Sequence, residues 1–136
     1  MRAELTLSCS LASLEGLRAF CSKSLLVWAV PEDISEKLTL ALDEACTNAM
    51  KHGHRCNPKE HILVVLEKKG ERILFKVHDI GPLPENLCAH IDKPLSALVK
   101  ERKKGGLGLK LMHRIMDDVR FVTKNGVSYC IMVKNI

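Results

Sequence analysis

Residues 42–52 read Leu-Asp-Glu-Ala-Cys-Thr-Asn-Ala-Met-Lys-His. Glu44, Asn48 and His52 recur every four residues, so on a helix they share one stripe, with Leu38, Ala41, Ala45 and Ala49 running beside it. The acid and the amide then stand at the border of a buried face. There a carboxylate and a carbonyl oxygen can meet a hydrated divalent cation and its phosphates while staying partly wet. Taken alone, the stripe serves equally well as the polar border of an amphipathic helix. Upstream, Pro31 followed by Glu32 and Asp33 suits a first helical turn, because proline has no N–H to waste there and acids favour the positive end of the dipole. This helix is expected to run to about His52 and stop at Gly53.

Working outward, Arg2 to Ser8 alternates as a strand, and Leu11 to Val27 carries Leu14, Leu17, Phe20, Leu25 and Val27 at a spacing that fits a helix lying on a sheet. His61 to Glu67 and Arg72 to Asp79 read as two strands joined by a short turn at Lys69-Gly70. Gly81 to Lys104, with three prolines and no sustained period, reads as a long loop with one short helix near Ser96 to Lys100. Leu107 to Met116 is a third helix, and Val119 to Lys124 with Val127 to Lys134 a hairpin whose Asn125-Gly126 fits a type I′ turn. The order βααββ, loop, αββ implies an α+β fold: a two-layer sandwich in which a mixed, mostly antiparallel sheet is covered on one face by helices.

A length of 136 residues with 46% hydrophobic and 27% charged side chains fits one compact domain, residues 1–136. No run of about 18 apolar residues occurs, and the N-terminus lacks a basic stretch followed by an apolar one, so a protein with no membrane partner, resident in the cytoplasm, is expected. The six cysteines form no CxxC pair and are expected to be reduced and mostly buried. A zinc site from Cys46, His52, His54 and Cys56 matches no common structural spacing, and its first two members would leave the end of a helix. Much of the net charge of +5 sits in Lys100 to Lys104, without aromatic neighbours, and the chain has one Trp and one Tyr. A platform for direct nucleic-acid binding is therefore not expected.

Two further motifs carry chemistry. Asp79 stands at a strand end before Ile80-Gly81; such a pair makes an ordinary turn, or its carboxylate accepts a hydrogen bond from an exocyclic amine while the glycine admits a flat ring. Lys104-Gly105-Gly106-Leu107-Gly108 precedes a helix, where free N–H groups and the dipole can cradle phosphate. It is neither a P-loop nor a Rossmann fingerprint.

The three motifs in this order, Glu44-x-x-x-Asn48-Ala49, Asp79-x-Gly81 and Gly106-x-Gly108, resemble the N, G1 and G2 boxes of the GHKL (Bergerat-fold) ATPases across nearly the whole chain. The wording Asp-Glu-Ala-Cys-Thr-Asn-Ala-Met-Lys-His-Gly, with Gly-Leu-Gly-Leu-Lys-Leu-Met-His-Arg-Ile-Met-Asp-Asp-Val, is similar to the anti-sigma-factor serine/threonine kinases of the RsbW and SpoIIAB type. Histidine sensor kinases usually carry asparagine where Glu44 stands and need a separate dimerisation domain. The resemblance implies ATP and Mg2+ as cofactors, with Glu44 as general base and Asn48 as magnesium ligand. It implies that Asp79 reads adenine and that Gly81, Gly105, Gly106, Leu107 and Gly108 shape the pocket. Lys51 and Lys104 would approach phosphate, and Ser128 would lie on the adenine side. It further implies phosphorylation of an anti-anti-sigma (STAS) protein, sequestration of a sigma factor, and a homodimer. The alternatives are a nucleotide-gated partner switch without efficient phosphotransfer and a detached histidine-kinase-like ATPase domain. The chain departs from the pattern at Pro82-Leu83, where a second glycine is common, and at Lys104-Gly105, where an arginine is common. Proline stiffens the hinge there, and lysine lacks arginine's planar fork for phosphate.

Overall fold

The computed structural model describes residues 1–50, 61–78, 107–124 and 127–136. Their elements are β1 (Arg2–Ser8), α1 (Ser13–Val27), α2 (Glu32–Asn48), β2 (His61–Lys69), β3 (Arg72–His78), α3 (Leu107–Ile115), β4 (Asp118–Lys124) and β5 (Val127–Asn135). The sheet order is β1-β2-β3-β5-β4. All four pairings are antiparallel, so the mostly antiparallel sheet implied by the sequence has no parallel pair among the described residues.

Strand alternation divides the sheet into two faces. Ile62, Val64, Leu66, Ile73, Phe75, Val77, Cys130 and Met132 turn to one side, where they join Leu14, Leu17 and Leu25 of α1, Leu38 and Leu42 of α2, and Leu109 and Met112 of α3 in one core cluster. The register sets these residues side by side, Val64 opposite Val77 and Leu66 opposite Phe75, with Phe75 opposite Met132 on the next strand. Leu63, Val65, Leu74, Ile131 and Val133 alternate to the other side, and none of them belongs to that cluster.

Turn chemistry fixes the connections. Lys69 pairs with Arg72, leaving Gly70-Glu71 as a two-residue loop in which Gly70 has φ 60°, the left-handed conformation that glycine adopts at no steric cost. Lys124 pairs with Val127 across the expected Asn125-Gly126 turn, which itself lies outside the described residues. Helix α1 begins at Ser13 rather than Leu11: Ser13 N–H bonds the Ser10 carbonyl, and Ala12 N–H the Ser10 hydroxyl, so residues 10–12 form a turn. Helix α2 starts after Pro31, which takes the N-cap position, with Glu32 and Asp33 in its first turn as expected. Its regular part ends at Asn48, and Ala49-Met50 continues as a wider π-type turn. The expected stop at Gly53 and the short helix near Ser96 fall outside the described residues. No described helix is long and apolar enough to cross a membrane.

Candidate functional site

The buried series of α2 runs Leu38, Ala41, Leu42, Ala45, Cys46 and Asn48. Spacings of three and four place all six on the face that meets α1, α3 and the sheet. Asn48 is thus carried by periodicity into the protein, only 8% exposed, while Glu44 lies half-buried at the border of the same face. The Asn48 side chain meets α3: its Nδ2 donates to the Met112 thioether sulfur at 3.7 Å. Its Oδ1 has no hydrogen-bond partner among the described residues. A buried amide oxygen that accepts from no described residue, one turn after a half-buried carboxylate, is a hard oxygen donor set, which fits a magnesium ion.

Helix α3 begins at Leu107-Gly108, the last members of the glycine motif. Its first N–H groups have no acceptor within the helix, and its dipole directs positive charge to that end. Leu109, Met112 and Met116, at spacings of three and four, seat the helix in the core and bring Met112 to Asn48. Ser128 is buried in β5, one residue beyond the His78–Tyr129 pair and on the helix-covered side with Cys130. Its hydroxyl shares a 3.0 Å hydrogen bond with Thr123 of β4. The fold therefore brings Asn48 and α3 together across 64 residues of sequence. Lys51, Asp79, Gly81, Lys104, Gly105 and Gly106 lie outside the described residues.

Sequence reasoning passed over Met112 and Thr123. Met112 stands four residues after Gly108, on the core-facing stripe of α3, and that spacing was the available signal. Among the described residues, Cys9, Cys21, Cys46 and Cys130 are all buried, as expected. Burial pushes Cys21 up to about 11, against the lowering bond from Thr39, and Cys130 up to about 12. Burial, with the neighbouring Cys130, Asp43 and Cys21, also raises Cys46. Three of the four residues of the zinc pattern, His52, His54 and Cys56, lie outside the described residues.

Comparison with known proteins gives the same picture. The histidine kinase-like ATPase domain family matches residues 7–134. The serine-protein kinase RsbW of Bacillus licheniformis is 34% identical over 110 residues, covering 71% of this chain and 62% of the relative. RsbW of Bacillus subtilis is 30% identical, with the same two coverages. The anti-sigma F factor of Clostridium perfringens is 30% identical over 97 residues, 71% of this chain and 69% of the relative. The match thus spans a little under two thirds of the RsbW chains. In fold, the chain superposes on a Mycobacterium tuberculosis crystal structure of RsbU and RsbW domains with a TM-score of 0.69 at 15% identity, covering 99% of this chain and 32% of the other. With its motif order, its antiparallel sheet under three helices and a family match over nearly its whole length, the chain belongs to the histidine kinase-like (GHKL) ATPase domain family.

Proposed function

We propose that residues 1–136 act as a single GHKL domain that transfers the γ-phosphoryl group of ATP to a serine or threonine of a STAS-type partner, and that it also binds a sigma factor in the cytoplasm. The observation that carries this reading is the buried Asn48, which meets the middle of α3 at Met112 and whose Oδ1 has no partner among the described residues, in a chain related to proteins named serine-protein kinase and anti-sigma F factor. Asn48 would hold magnesium, which when bound neutralises phosphate charge. Glu44, one turn earlier on α2 and still partly wet, would take the proton from the attacking hydroxyl. The N–H groups opening α3 at Leu107-Gly108, together with Gly105, Gly106, Lys51 and Lys104, would receive phosphate. Asp79 would accept from the adenine amine, with Gly81 and Ser128 lining that side.

A homodimer belongs to the same proposal. Its support is the resemblance of the chain to RsbW-type proteins.

Incubation with magnesium and γ-labelled ATP beside a cognate STAS protein tests the reading. Acid-stable label on the STAS protein is expected. Acid-labile label would indicate histidine transfer. Nucleotide-dependent binding without any label would leave a partner switch in place of a kinase.

A further inference from the structure

We infer that Met112 is a positioning residue: by accepting the Asn48 Nδ2 hydrogen bond, its thioether fixes which edge of that amide faces the metal side, so that Oδ1 is the atom presented. The inference rests on Asn48 being the magnesium ligand and goes beyond it by naming what orients the ligand.

The two edges of a primary amide are nearly equal in shape and opposite in chemistry, since one donates and the other accepts. An asparagine rotated by half a turn about its last bond would offer N–H groups to a cation and bind none. The side chain therefore needs a neighbour that tells the edges apart. Met112 can do so, because a thioether sulfur accepts and has no proton to donate. With Nδ2 at 3.7 Å from the sulfur, the favourable edge is engaged; with Oδ1 there, lone pairs would face lone pairs. Both residues are buried, Met112 completely, so a weak bond is not replaced by solvent. Leucine would fill much of the same volume but leave the N–H unsatisfied and the edges equivalent.

The position of Met112 adds a coupling. It lies on α3, five residues from Leu107, about 7 Å along the axis at 1.5 Å per residue. The helix whose first N–H groups would receive phosphate is thus the helix that orients the metal ligand. A shift of α3 would alter both together.

The test uses the full chain with ATP and magnesium chloride. Met112→Leu should raise the magnesium concentration at half-saturation of ATP binding about tenfold, the lower end of what losing a ligand's own hydrogen-bond partner costs a metal site. Replacing the methionines by selenomethionine, which keeps an acceptor with no proton to donate, should leave the midpoint unchanged. A second readout needs neither metal nor nucleotide. The Asn48 side-chain amide resonances, identified by their disappearance in Asn48→Ala, should exchange with water more slowly than those of exposed Asn135, and Met112→Leu should shift and speed that one pair. An unchanged magnesium midpoint in Met112→Leu, or an equal loss in the selenomethionine protein, would overturn the inference. An unchanged midpoint in Asn48→Ala would instead remove the ligand reading beneath it, while the amide resonances still report whether the sulfur holds the side chain.

Discussion

Where α2 begins, the inward contacts serve stability: Leu38, Ala41 and Leu42 are fully enclosed, and Thr39 donates to the Cys21 sulfur at 3.5 Å. Where α2 ends, the same periodicity continues through Ala45 and Cys46 but carries an amide, Asn48, into the interior with a carboxylate one turn before it. A leucine at position 48 would satisfy the pattern at lower cost, since a buried polar group is penalised unless fully bonded. One helix thus has an end selected for packing and an end that gives up packing. The difference separates residues whose loss unfolds the chain from residues whose loss silences it.

The largest expected effect lies at the second end. Glu44→Gln keeps the size and the half-buried setting of the side chain but cannot accept a proton from a serine hydroxyl. Phosphotransfer to a STAS protein should fall about 10²–10⁴-fold, the usual cost of removing a general base. Thermal stability should hold. Equal transfer rates in the two proteins would erase the contrast by making Glu44 another border residue.

At the first end the expectation inverts. Leu42 is fully buried among α1, α2 and the sheet, and Leu42→Ala should cost about 2–5 kcal/mol in urea unfolding, the transfer and cavity terms combined. At temperatures where the variant stays folded, its magnesium-dependent ATP affinity should match that of the parent. A large loss of affinity in folded protein would show that packing at the start of α2 is transmitted to Asn48.

This contrast also marks what the sequence could disclose. Strand alternation and helical spacing are local, and they placed the eight described elements to within about two residues, except that the regular part of α2 ends at Asn48 and not near His52. The polar stripe of Glu44 and Asn48 was visible for the same reason. Depth was not: that Asn48 is buried and Glu44 only half so depends on where α3 lies, and α3 is 64 residues away at the contact. Spacing on α3 can report that Met112 faces inward, never which atom it meets. The turn after α1 was invisible too, since alanine carries no signal for a left-handed backbone.

That turn gives the smallest expected effect and the cleanest control. Ala29 has φ 59°, and two hydrogen bonds close the helix end around it: Ala29 N–H to the Leu26 carbonyl and Val30 N–H to the Leu25 carbonyl, both 3.0 Å. This is the Schellman pattern, completed by Leu25 and Val30, both buried; its left-handed position is usually glycine. An L-residue pays about 1–2 kcal/mol there because its Cβ crowds the following carbonyl. Ala29 is exposed, so removing its methyl group forfeits no core contact. Against the relief stands the greater freedom that glycine gives the unfolded chain, which returns part of it. Ala29→Gly should therefore stabilise the protein by about 0.5–1 kcal/mol in urea unfolding, with an unchanged denaturant slope. Because the turn feeds directly into Pro31 and the start of α2, it belongs wholly to the packing end. Magnesium-dependent ATP affinity should not move. A gain in stability accompanied by a changed magnesium midpoint would mean that tightening the start of α2 alters the amide at its other end, and the two ends would then have to be treated as one mechanical unit.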